Sequence, residues 1–247
     1  MDTGRVSLRY RRPAAEPAVV AKHPALASGR DHRGQDSLAA FLNAVDEEAE
    51  PALACIAGDV ALELTIGLPP SQPLTRRRDL DNFLLPVVAR LGQRRVPAVF
   101  AHKRHADTSR LTLAPARYLV DDRPAALRVR AVGSPHSPAW MEQVRDACTA
   151  AVGAVAPHPG TASLDLAFVV SSLHNWTTLW KPAIDAISGP LLGVPDPDLP
   201  WSPNDDHITR LGLHRTIDDS VGYDVVIAAW WSLDHDDAGG PTTGPPR

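Results

Sequence analysis

The chain has 247 residues, 44% of them hydrophobic, and its 25 basic and 29 acidic side chains give a formal net charge of −4. That apolar content suffices for a core and excludes wholesale disorder. No apolar run reaches the ~18 residues of a membrane span, and Cys55 and Cys148 are too few for a disulfide framework or a cysteine zinc site.

The charged segment Met1–Arg12 has no apolar leader-like stretch, so the expectation is a cytoplasmic protein. The 24 prolines predict many loops and few long helices. Ala14–Gln35, rich in Pro, Gly and charge, reads as loose. Phe41–Ala49 has apolar residues at helical spacing, and after Gly58 the alternation of Val60, Leu62, Leu64 and Ile66 predicts a strand. Asn82–Gly92 predicts a second helix with an early proline and a terminal glycine. His102-Lys103-Arg104-His105 reads as a basic loop, because no further ligand follows at metal spacing. An acidic turn at Asp107 leads into a strand ending near Leu113. Ala126–Val132 is a strand that could close this first set of elements or open the next.

The pattern then returns at an offset of about 100 residues. Trp140–Cys148 matches the first helix, and Gly160 precedes the alternating Leu164, Leu166 and Phe168. Thr178–Gly189 matches the second helix, and Asp205-Asp206 precedes a strand through Leu213. Residues 1–133 and 134–247 are therefore read as two diverged copies of one α+β unit, meeting near Gly133–Ser137, with a loose tail from about residue 234. Trp176 and Trp180, four apart, suit a core or inter-copy interface, and of Trp230-Trp231 only one can face inward on a strand.

The sharpest motif is Arg76-Arg77-Arg78-Asp79-Leu80-Asp81-Asn82, between a strand and a helix. Carboxylates one residue apart can converge on a hard cation such as magnesium, or manganese in its place, which polarises phosphoryl oxygens and activates water. The arginines suit a phosphate backbone. The bland reading makes either aspartate a helix cap and the arginines a solvated loop. No G-x-S-x-G, Walker or G-x-G-x-x-G run is present, so triad hydrolase, NTPase and dinucleotide readings have no support.

In this order of elements, Arg77-Arg78-Asp79-Leu80-Asp81-Asn82, Lys181-Pro182-Ala183-Ile184-Asp185-Ala186-Ile187-Ser188-Gly189 and Asn204-Asp205-Asp206 resemble the RusA-like Holliday junction resolvases. The resemblance runs over both halves of the chain. It implies a magnesium-dependent endonuclease that cuts branched DNA as a homodimer, each site holding three aspartates and a lysine. It puts Asp79 and Asp81 in the place of the paired aspartates, Asp205 (or Asp206, one residue on) in that of the third, and Lys181 in that of the lysine. It further implies that this chain is a single-chain pseudo-dimer of two α+β units, each with a mixed sheet and helices.

The departures are specific. Leu85 stands at the first copy's lysine position, and Asn175 and Thr177 replace the paired aspartates of the second. The second copy therefore lacks a full site, whereas the first can assemble one from Asp79, Asp81 and Asp107, with Asp205-Asp206 read as only a turn. The expectation is one competent site per chain, which nicks unless the chain dimerises, with Lys181 orienting a phosphate from across the interface.

Between Arg76 and Arg110, nine Arg or Lys face three Asp, while Leu173–Arg215 has three against five. A DNA-binding face on the first copy follows, using Arg76, Arg77, Arg78, Arg94, Arg95, Lys103 and Arg104. The competing reading is a DNA-binding or structural protein of the same fold that has lost catalysis.

Overall fold

Apolar alternation along eight strands builds a single mixed sheet with helices packed on one face. The computed structural model describes residues 8–20, 22, 32–75, 79–120, 123–153, 156–194, 198 and 203–234. In chain order the elements are β1 (Ala18–Val20), α1 (His32–Cys55), β2 (Val60–Leu68), α2 (Leu80–Leu91), β3 (Ala98–His105), β4 (Ser109–Pro115) and β5 (Leu127–Ala131). There follow α3 (Pro138–Val152), β6 (Thr161–Val170), α4 (Trp180–Leu192), β7 (Ile208–Ile217) and β8 (Val225–Asp234). Short 3₁₀ turns at Trp176–Leu179 and Asp205–His207 precede α4 and β7.

Across the sheet the strands run β1-β4-β2-β3-β7-β6-β8-β5. β2 and β3 are parallel, as are β6 and β7. β4 and β8 lie antiparallel to β2 and β6 respectively. At the centre β3 and β7 are antiparallel, with Ala98 opposite His214 and His102 opposite Arg210. Connections from β2 to β3 and from β6 to β7 each carry one helix, as parallel neighbours require.

Period-two alternation sends Leu62, Leu64 and Ile66 of β2, and Leu164, Leu166 and Phe168 of β6, into one continuous core with Phe41, Phe83, Trp140 and Trp180 of the helices. The opposite face has a smaller cluster of Tyr10, Ala61, Ala98 and Phe100. There the N-terminal segment crosses the sheet, Arg12 pairing with Glu63 at 2.7 Å and Arg9 with Asp165 at 3.4 Å. Trp231 packs against the main core while Arg9 lies over the Trp230 ring on the other side, the alternation expected of that pair.

Several expectations need correction. Ala18–Val20 is not loose but pairs with β4, and α1 begins already at His32. Pro86 lies in the middle of α2 rather than near its start. His102–His105 belongs to β3, not to a loop: its alternation is masked by polar residues at the strand end. Ala126–Val132 contains β5, which pairs with β8. The two acidic turns are not equivalent, because Asp205 lies between a helix and β7 whereas Asp107 lies in the short connection from β3 to β4, which crosses the end of β2. The connection that matches the Asp205 turn is Gly92–Pro97, between α2 and β3. The tail from residue 235 lies outside the described residues.

Candidate metal centre

Asp79 stands at the N-cap of α2 with extended backbone, yet its side chain accepts no backbone N–H. Its carboxylate instead accepts from Asn82 Nδ2 at 2.8 Å and from Lys181 Nζ at 3.3 Å. Capping therefore does not explain it. Asp81 follows in the first turn, buried, where the positive end of the helix favours a carboxylate. Asp205 opens the 3₁₀ turn before β7 and is buried as well. Because β3 and β7 run antiparallel, the start of β7 lies beside the end of β3, and Asp205 arrives next to the start of α2. Carboxylate oxygens of Asp79, Asp81 and Asp205 lie within 4.8 Å of one another. Oxygens that share a magnesium ion at about 2.0–2.1 Å stand roughly 3–4 Å apart, so a small inward movement would complete three ligands.

Lys181, in the first turn of α4, enters the middle of this group. Its Nζ is 2.5 Å from Asp205 Oδ2, 2.9 Å from Asp185 Oδ1 and 3.3 Å from Asp79 Oδ2. Asp185 reaches it through the i,i+4 spacing that puts both on one helix face. Four carboxylates thus face one ammonium. Burial pushes the Asp81 carboxyl up to about 6, with Lys181 opposing and Asp79 and Asp205 adding repulsion. Burial likewise raises Asp185 to about 7, again against the pull of Lys181, and raises Asp205. Desolvation works against the charge on Lys181, but Asp205, Asp81 and Asp185 outweigh it and hold its pKa above the ordinary lysine range. Excess carboxylate charge in partly dry surroundings is what a divalent cation would relieve.

The site is therefore composite, drawing Asp79 and Asp81 from one half of the sequence and Lys181, Asp185 and Asp205 from the other. Asp107 is exposed in the β3–β4 turn and is not in the group, so the expected third ligand from the first half is replaced by Asp205. Asp206 is next to the group, with its carbonyl accepting from Lys103 Nζ at 2.6 Å. Asp185 went unnoticed as a site member in the sequence, although its i,i+4 relation to Lys181 was a usable signal.

The basic residues divide. Arg76, Arg77 and Arg78 lie outside the described residues. Arg95 is not a phosphate ligand in this arrangement: it donates to Leu53 O at 3.2 Å, to Gly58 O at 2.9 Å and to Ile56 O, closing the end of α1. Lys103 is buried on the helix side of β3. Arg94 and Arg104 are exposed. Asn175 and Thr177 do not meet Asp205 at all. They lie at the opposite end of the β3–β7 pair, where Thr177 Oγ1 is 3.4 Å from the Gln93 side-chain amide. Trp176 and Trp180 are both buried, their rings edge to face at 4.8 Å. Among the described residues no helix is long and apolar enough to cross a membrane. Comparison with protein-family models, curated proteins and solved structures finds no match.

Proposed function

We propose that the chain is a divalent-cation-dependent endonuclease acting on branched DNA, of the kind the sequence resemblance implies, with one cutting site per chain. The observation that carries this reading is the convergence of Asp79, Asp81 and Asp205 around Lys181. A magnesium or manganese ion held by the three aspartates would polarise a phosphoryl oxygen and lower the pKa of an attacking water. Lys181, whose side chain is 44% exposed, is placed to turn from the carboxylates to a non-bridging phosphate oxygen. Asp185, at 2.9 Å, keeps the ammonium charged and in position.

In the same reading the chain is a fused pair of α+β units. The order strand, helix, strand, helix, parallel strand, antiparallel strand occurs twice, from β1 to β4 and from β5 to β8. The two sets meet only through β3 and β7 in the sheet. On this reading the junction of the units lies between β4 and β5, ahead of residue 133.

The test is cleavage of a labelled four-way DNA junction with Mg²⁺. Asp81→Asn and Asp205→Asn are each expected to lower the rate about 100-fold or more, as loss of several kcal/mol of charge stabilisation implies. Asp107→Asn is expected to cut like the unaltered protein. Equal cutting by the Asp81→Asn protein would refute the nuclease reading. Metal-independent binding with no cutting by any form would instead favour a DNA-binding protein that has lost catalysis.

A further inference from the structure

At the far end of the β3–β7 pair from the three aspartates lies a second cleft of about 480 Å³, lined among others by Gln93, Arg94, His174, Asn175 and Arg215. The two ends correspond element by element. Asn175 and Thr177 precede α4 as Asp79 and Asp81 start α2, and Gln93 lies between α2 and β3 as Asp205 lies between α4 and β7. Lys103 Nζ donates to Asp206 O at one end, and Arg215 Nη2 donates to Arg94 O, at 2.6 Å, at the other. Where one end has three carboxylates, the other has an amide, a hydroxyl and an amide.

That difference reverses what the cleft can hold. Asn175 Oδ1 accepts from Thr177 N and Oγ1, which turns its amide N–H groups away from Thr177. Arg94 is exposed, with no side-chain partner among the described residues. Arg215 is half-buried, and its Nη groups meet only the carbonyls of Gln93 and Arg94 while its Nε has no hydrogen-bond partner. Among the described residues no carboxylate lies within ion-pair distance of Arg215; Asp59 acts on it only at longer range and burial outweighs that pull, so its half-buried positive charge is incompletely balanced. Asp219, exposed beside the lining residue Ser172, is engaged by Ser172 N and Oγ at 2.8 Å.

We propose that this cleft is a metal-free phosphodiester-binding site, which holds one DNA arm without cutting it while the aspartate end acts on another. The inference rests on the nuclease reading for its choice of DNA as the phosphodiester, but its own requirement is only binding. A phosphate oxygen would accept from Arg94 and the Asn175 amide, with the Arg215 guanidinium adding positive charge behind them, and nothing in the cleft requires a cation.

The test is fluorescence anisotropy of a labelled four-way DNA junction in EDTA, as a function of salt, followed by cleavage assays in Mg²⁺. Asn175→Asp is the diagnostic change. Aspartate keeps the acceptor for Thr177 N, so the local fold survives, but it adds a negative charge in the cleft. Asn175→Asp and Arg94→Glu are each expected to weaken binding about tenfold or more, and Arg94→Glu to reduce the salt slope by about one. If both variants bind within about twofold of the unaltered protein, which still cuts, the inference falls and the nuclease reading stands. If both bind weakly but the unaltered protein never cuts with Mg²⁺ or Mn²⁺, the inference stands and the nuclease reading falls. A protein that does not bind the junction at all overturns both.

Discussion

Asp81 is 5% exposed and faces Asp79 and Asp205, so its ionised form costs stability that only a cation can return. Its carboxyl titrates near 6, and that of Asp185 near 7, both above the ordinary value of 3.8. A raised folded-state pKa means the folded chain binds the proton more tightly than the unfolded one. The resulting stability is fully present below about pH 4 and is lost as pH rises through 6 to 7. In EDTA, thermal melts are therefore expected to fall between pH 5 and pH 8 by the share these groups contribute. Added Mg²⁺ should raise the melting temperature clearly at pH 8 and hardly at pH 5. Asp81→Asn is expected to melt above the unaltered protein in EDTA at pH 8 and to lose most of the Mg²⁺ shift; a full shift in that variant would count against the metal centre. The paired aspartates were legible only through their context, because D-x-D-N after an arginine run matches the resolvase motif where D-x-D alone reads as a helix cap, and Lys181 was legible beside Pro182 for the same reason. Asp205 was discounted in favour of Asp107 because both are acidic turns before a strand. Local sequence does not say which of two strands sits at the middle of a sheet.

The elements themselves were largely written in their periodicity, and their ends in their capping residues. α3 starts at Pro138 after Ser137, whose side chain accepts from Trp140 N at 3.2 Å. Ser137→Ala is expected to cost about 1 kcal/mol, read in urea unfolding. Arg95 has a structural task that its sequence context hides. Its guanidinium ties together three carbonyls at the end of α1, at Leu53, Ile56 and Gly58, a task no linear pattern announces. Arg95→Ala should destabilise by about 1–3 kcal/mol through unsatisfied carbonyls, while leaving the salt slope of DNA binding unchanged. A reduced slope would return Arg95 to the DNA-contacting set. Close packing sets another limit on change. A side chain on Gly67 would bring Cβ within 2.3 Å of Thr108 O, backbone that cannot swing aside, in the β3–β4 connection that crosses the end of β2 and carries Asp107. Gly67→Ala is expected to lower stability by about 1–3 kcal/mol.

For the molecule as a whole, the sequence repeat anticipated two sets of α+β elements but not that their strands fuse into one eight-stranded sheet. Which edge of a strand finds a partner is decided by packing over long sequence separations, and a hydrophobic pattern carries no record of it. With one carboxylate cluster among the described residues, a single chain is expected to convert a four-way junction to a singly nicked product, resolved from paired-cut duplexes on native gels. Predominant paired cuts at protein concentrations where the chain is monomeric would contradict one site per chain. The antiparallel seam of β3 and β7 has a further bearing on when the protein can act. Asp79 and Asp81 leave the ribosome early, but the pocket for a cation does not exist until β7 has been synthesised and seated against β3. A nascent chain that ends before Asp205 therefore carries two of the three carboxylates without the third.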